Sequence, residues 1–434
     1  MLFYLVGEDK VMSKFSKLGA KLSGGSGIEE LMDDLGHALA TGGDDVMMLG
    51  GGQPSMIPEV NALWRRCLED VMDRPDGLEA MLGKYDPPRG NPRFIDALVG
   101  MFREHLGWDV TEENIAITAG GQTAFFFLFN ALAGMNSEGV SKKIVIPLVP
   151  EYIGYANQSV GEDFFVAFPP KIEKIGEHKF KYRIDFDKLV IGDDVAAICV
   201  SRPTNPTGNV LTDNEMKRLL AIAKEHDIPL IIDNAYGAPF PNIFFADAEP
   251  VWDESTILTM SLSKIGLPGT RTGIVVAPKE VAAAIASMSA IVGLANGNVG
   301  QVLTEPLMRS GELLTMSKEL VRPFYLEKSK LAQQWISEHF DDSLPYRVHV
   351  SEGALFLWLW FEDLPISSKV LYERLKARDV LIVSGSYFFF GLDDPAWKHQ
   401  DECIRMTYTM DARTVERGIE IIADEVAKVY AEFK

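Results

Sequence analysis

The chain has 434 residues, long for one hydrophobic core and comfortable for two, since single cores stop growing at roughly 250–300 residues. Hydrophobic residues make up 47% and charged ones 24%, a balance that excludes disordered and fibrous chains. Forty-two Lys and Arg stand against 62 Asp and Glu, a net charge of -20 that repels nucleic acids and anionic membranes, so a phosphate ligand needs a local positive site.

Met1 to Val11 holds a short apolar patch followed by Glu8 and Asp9, without the basic start and long apolar run of a signal peptide. Ser23 to Gly27 reads as a glycine-rich loop before a helix starting near Ile28. Gly50-Gly51-Gly52 is not followed by Gly-Lys-Ser/Thr and meets Pro54, which makes it a tight turn lining a site instead of a phosphate loop. Ile115 to Ser137 carries no charge and is long enough to span a bilayer. Its polar, glycine-bearing break at Thr118–Thr123 predicts a buried strand, a turn and a helix instead. Cys67, Cys199 and Cys403 are odd in number and far apart, which points to a reducing compartment, the cytoplasm. The seven histidines form no HExxH or close pair, so no metal site is expected.

From about 110 to 280, β-branched runs alternate with helical patterns: Lys143–Pro147, Ala196–Val200, Pro229–Asp233, Thr256–Met260 and Gly273–Ala277. That alternation predicts an α/β fold with a mostly parallel, covered sheet. Beyond about 305 come a long helical stretch, a strand at Ala354–Trp360, a helix at Ser368–Arg378, strands at Val380–Val383 and Ile404–Tyr408, and a final helix. This texture predicts a smaller α+β domain, with residues 60–305 as the large domain and 1–59 plus 306–434 as the small one. Trp358 and Trp360 alternate with leucines and read as core.

Ligands in open α/β sheets sit outside the carboxyl ends of the strands. Those ends offer Gly120-Gly121-Gln122, Pro150-Glu151-Tyr152, Ser201–Gly208, Asp233–Tyr236 and Ser261–Lys264, the last followed by Arg271 within one loop. A lysine and an arginine so placed suit one aldehyde and one phosphate. Alone, Lys264 reads as a surface lysine, Asp233 as a helix cap and Asn205-Pro206-Thr207-Gly208 as a turn. Their company reverses that reading.

In order and spacing, SRPTNPTGN (201–209), IDNAYGAPF (232–240) and MSLSKIGLPGTRTG (260–273) resemble the class I/II aminotransferases of fold type I, and most closely the valine–pyruvate branch of that family. Supporting runs are Leu49–Pro54, Tyr85–Gly90, Pro150–Tyr155, Gly353–Trp360 and the arginine of Ile404-Arg405-Met406. The resemblance implies pyridoxal 5'-phosphate held as a Schiff base on Lys264, which also moves the substrate proton. It implies Asp233 on the pyridine nitrogen, Asn205 and Tyr236 on the ring oxygen, and Tyr152 stacked on the ring. Gly121, Gln122, Ser261, Ser263 and Arg271 would hold the phosphate. Arg405, with Gly52 and Asn205 beside it, would take the substrate carboxylate; a structural ion pair is the competing reading for Arg405. Tyr85 implies a homodimer, because it would reach the phosphate of the neighbouring subunit. Aromatics at Tyr152, Tyr155 and Phe240 suit an apolar substrate side chain. Ser384 departs from the family, which has proline before the glycine corresponding to Gly385. The implied reaction passes an amino group from L-valine to pyruvate by ping-pong half-reactions; other substrate ranges and a carbon–sulfur β-lyase on the same scaffold stay open.

Overall fold

The computed structural model describes residues 14–24, 36, 46–161, 163–394 and 396–433. The segment Met1 to Val11, most of the glycine-rich stretch and the helix expected from Ile28 lie outside the described residues. Eight strands form the main sheet: β1 (Ile115–Thr118), β2 (Gly134–Met135), β3 (Ser141–Ile146), β4 (Phe165–Ala167), β5 (Val195–Ser201), β6 (Leu230–Asp233), β7 (Thr256–Ser261) and β8 (Gly273–Val276). Their spatial order is β1-β8-β7-β6-β5-β3-β2, with β4 also paired to β3. The central pairs β7-β6, β6-β5, β5-β3 and β3-β4 are parallel. β8 runs antiparallel to both its neighbours, and β2 to β3.

Strands β1, β6, β7 and β8 are buried along their whole length. Continuous apolar runs, with no alternation, are what a sheet covered on both faces requires. The uncharged segment from Ile115 resolves into β1, a turn at Gly120 and the helix Gly121–Leu132. No helix among the described residues is long and apolar enough to cross a membrane.

A second sheet has six strands, in the order Val383–Ser384, Cys403–Thr407, Phe356–Phe361, Tyr346–His349, Lys179–Arg183 and Lys171–Ile175. The hairpin 171–183 leaves the chain between β4 and β5 and joins this sheet through a parallel pairing of Lys179–Arg183 with Tyr346–His349. Its lysine-rich strands carried no β-branched run to announce them. Val380–Val383, read as one strand, is two: Val380–Leu381 pairs with Met47–Met48, and Val383–Ser384 with Cys403–Thr407. The first pairing carries the chain directly into Gly50–Pro54, where Thr407 N donates to Leu49 O at 2.7 Å. Trp358 is fully buried, with its indole N–H on Tyr182 Oη at 2.9 Å, and Trp360 donates to Glu402 Oε2 at 2.8 Å, as core residues should. Ser384 is buried and its hydroxyl joins those of Ser368 (2.8 Å) and Ser386 (3.0 Å).

Candidate active site

Strands β5, β6 and β7 are in register such that Ser201 and Thr259 flank Asp233. Parallel strands ending together leave their last side chains facing one space. A cavity of about 730 Å³ opens there, lined by residues of these strand ends, of the start of the helix Gly121–Leu132, of Gly51–Pro54 and of the second sheet's Arg405.

Lys264 sits in a single 3₁₀ turn after β7, closed by Gly266 at φ 92°. A left-handed residue there suits glycine, which has no Cβ penalty. The Lys264 Nζ donates to Gly52 O at 2.6 Å and stands 5.4 Å from the centre of the Tyr236 ring. Burial first, then the charges of Arg405 and Arg271, lower its pKa to about 8, against the opposing pull of Asp233. About a tenth of the amine is then neutral at pH 7, where an ordinary lysine has well under a thousandth, and a neutral amine is the nucleophilic form.

Asp233 ends β6 almost wholly buried. Its Oδ2 accepts from Tyr155 Oη at 2.5 Å and its Oδ1 from Ala235 N at 2.9 Å. Burial pushes its pKa up, while these hydrogen bonds and the Lys264 charge pull it down. Among the described residues no cation pairs with it.

Arg405 comes from the strand Cys403–Thr407 and is buried. Its Nη1 donates to Asn205 Oδ1 at 2.7 Å and its Nη2 to Gly50 O at 2.6 Å. The guanidinium lies 4.1 Å from the Phe356 ring centre and 5.2 Å from that of Phe388. Its Nε has no partner, and burial lowers its pKa to about 10. No carboxylate among the described residues pairs with it. A buried charge held by neutral acceptors is costly unless an anion arrives.

The helix Gly121–Leu132, whose first residues also line the cavity, begins at Gly120, φ 92°. A Cβ on Gly120 would lie 2.3 Å from Arg271 Nη2, so the guanidinium rests on bare backbone. The first N–H groups of a helix have no partner within it and carry partial positive charge. Ser261 Oγ accepts from Ser263 N at 2.9 Å, and both serines line the cavity. Tyr152 closes one face, with its hydroxyl 3.3 Å from Gln122 Oε1 and its pKa pushed up to about 12 by burial.

Residues 59–422 match the family described as aminotransferase class I and II. The chain is 46% identical over 418 residues to the valine–pyruvate aminotransferase of Escherichia coli K12, covering 96% of this chain and 99% of that protein. The chain belongs to the class I and II aminotransferases. Among solved structures it is similar to a putative amino-acid aminotransferase from Psychrobacter arcticum, with a TM-score of 0.93, 46% identity, and 96% and 99% of the two chains covered. It is also similar to the valine–pyruvate aminotransferase of Salmonella typhimurium LT2, with a TM-score of 0.85, 44% identity, and 93% and 100% covered.

In this aminotransferase the cavity brings together Gly52, Gly121, Gln122, Tyr152, Asn205, Asp233, Tyr236, Ser261, Ser263, Lys264, Arg271 and Arg405. Tyr85 is not among them; it is 83% exposed on the surface of this chain. Tyr155 and Phe240, expected beside a substrate side chain, are buried in the core instead. Tyr155 serves Asp233, and Phe240 lies outside the cavity. Tyr155 is thus a site residue that sequence reasoning misassigned; its place three residues after Tyr152, at the end of the Pro150–Tyr155 run, was the available signal. Glu151 was unforeseen. Buried, it accepts from Tyr152 N (2.8 Å), Ser201 N (3.0 Å) and Ser201 Oγ (2.5 Å), tying the Tyr152 loop to the strand beside Asp233. No group of three His, Cys, Asp or Glu among the described residues is placed to hold a metal.

Proposed function

We propose that the cavity holds pyridoxal 5'-phosphate and exchanges an amino group between L-valine and pyruvate, giving 3-methyl-2-oxobutanoate and L-alanine. One observation carries the reading: an amine, Lys264, and a buried arginine, Arg405, that no carboxylate among the described residues pairs with, face the same cavity. The residues fit the cofactor. The bare backbone at Gly120 under Arg271, beside the first N–H groups of a helix and the hydroxyls of Ser261 and Ser263, suits a phosphate. The buried, cation-free Asp233 suits a pyridinium N–H, and Asn205 and Tyr236 suit the ring oxygen. When bound, the cofactor supplies an aldehyde for the amine and a ring that draws electrons from the substrate α-carbon.

The chain's own groups do the rest. Lys264 Nζ takes up and returns the proton of the substrate α-carbon, for which a pKa near 8 is well matched. Asp233, whose ionised form the hydrogen bonds from Tyr155 and the Ala235 N–H favour against burial, would keep a pyridine nitrogen protonated. Tyr152 covers one face and keeps water away. Arg405 anchors the substrate carboxylate by two parallel hydrogen bonds.

An apolar substrate side chain is favoured because the cavity's cations among the described residues are only Lys264, Arg271 and Arg405, each already engaged. Among the described residues of this chain no cation remains for a second carboxylate. Apolar walls come from Met48, Pro54, Ile153 and Met410. The carbon–sulfur lyase reading is not favoured, since the relatives of high identity are named aminotransferases. We place the enzyme in the cytoplasm as a homodimer in which Tyr85 serves the neighbouring site.

Purified protein with added cofactor is expected to show the visible absorption of a lysine-bound cofactor, lost on adding L-valine and restored by pyruvate with L-alanine formed. Persistence of that absorption in Lys264→Ala, or cleavage of cystathionine without amino transfer, would sink the proposal.

A further inference from the structure

The loop Gly50–Ser55 is tied at both ends. Leu49 O accepts from Thr407 N, and Gly50 O from Arg405, so the entry belongs to the second sheet. At the exit, Ser55 N donates to Tyr325 Oη at 2.9 Å and Ser55 Oγ to Thr409 O at 2.5 Å. Between these ties lies Gly52, whose carbonyl accepts the Lys264 amine at 2.6 Å.

Tyr325 is the one exit tie that comes from a different element. It is 1% exposed on the helix Arg322–His339, which follows a five-residue π turn, Ser317–Val321, with Arg322 N bonded to Ser317 O. Such an inserted turn rotates the helix after it and recurs at functional sites. One turn further along the same face, Lys328 Nζ donates to Met410 O at 2.5 Å. The helix therefore grips both the loop and the segment 409–410 that meets it.

We propose that Tyr325 is a positioning residue for Lys264, holding through Ser55 the loop whose Gly52 carbonyl receives the lysine amine. The inference rests on Lys264 being the working amine. A carbonyl held against Nζ accepts best from the ammonium form, so it opposes the burial and the arginine charges that drive the proton off. Freeing the loop weakens that support, and the amine loses its proton at lower pH.

The test is Tyr325→Phe, which removes one oxygen and keeps the ring. Competitive acetylation of the cofactor-free protein across pH 6–10, read on the Lys264 peptide by mass spectrometry, gives the amine's own midpoint. We expect that midpoint to fall by about half a unit, roughly threefold in proton affinity. Ser55→Pro, which removes the backbone N–H that donates to Tyr325, should move it in the same direction and decides the matter should Tyr325→Phe fail to fold. An unchanged or raised midpoint overturns the inference, and so does a lower melting temperature without a shift, which assigns Tyr325 to packing alone. Persistence of the lysine-bound absorption in Lys264→Ala would instead strike the underlying reading of the site.

Discussion

Replacing Arg405 by lysine keeps the charge and loses the planar fork. In the native site the two terminal nitrogens point at Asn205 Oδ1 and Gly50 O, at 2.7 and 2.6 Å, with the guanidinium plane 4.1 Å from the Phe356 ring centre. A lysine ammonium reaches a carboxylate with one hydrogen bond where arginine makes two. A hydrogen bond to a charged group is worth about 1.5–3 kcal/mol and tenfold in equilibrium about 1.4 kcal/mol, so kcat/KM for valine and for pyruvate should fall about 10- to 100-fold. Arg405→Gln loses both bonds and the charge, and should cost about 10²- to 10⁴-fold. The two variants part on a second readout. Because the Arg405 charge helps hold the Lys264 pKa down at about 8, Arg405→Gln should raise the midpoint of the free amine and Arg405→Lys should leave it in place. Steady-state kinetics with both substrates, together with the acetylation titration, measure both effects. If kcat/KM in Arg405→Lys stays within about threefold of the parent, Arg405 does not hold the substrate carboxylate.

Lys264 itself destabilises the cofactor-free fold, because its pKa falls from 10.5 to about 8 on burial. The folded state binds fewer protons than the unfolded one between those values, so stability rises with pH across that window, and below it the full cost of up to ~3 kcal/mol is present. Lys264→Met should therefore be the more stable protein in denaturant at pH 7, with the gap narrowing by pH 10; equal stabilities at pH 7 would refute the buried-amine argument. Tyr155→Phe removes the 2.5 Å hydrogen bond to Asp233, so the Asp233 pKa rises further and the ionised form is lost at higher pH. Activity should drop about tenfold near neutrality, with its acid limb displaced upward; an unmoved acid limb would show that Tyr155 does not tune Asp233.

The alternation of apolar runs with helical stretches, and the polar groups that follow each run, are local properties of the chain. They made the covered sheet, the Lys264 turn, Asp233 and Arg271 legible before any folding, because strand ends of one parallel sheet must face one space. Local pattern could not say which aromatic of Pro150–Tyr155 meets the cavity. Tyr152 faces it, while Tyr155 turns into the core toward Asp233, a choice made by packing against Phe125 and Phe129. Nor could it foresee the hairpin 171–183 joining the second sheet, since a pairing with Tyr346–His349 links residues more than 160 positions apart. Arg405 marks the division most clearly. Its motif named it a candidate, but only the folded chain sets it beside Asn205 and Gly50, with no carboxylate among the described residues to neutralise it. Which charges are left unpaired is a sum over all neighbours in space, and a linear sequence does not contain that sum.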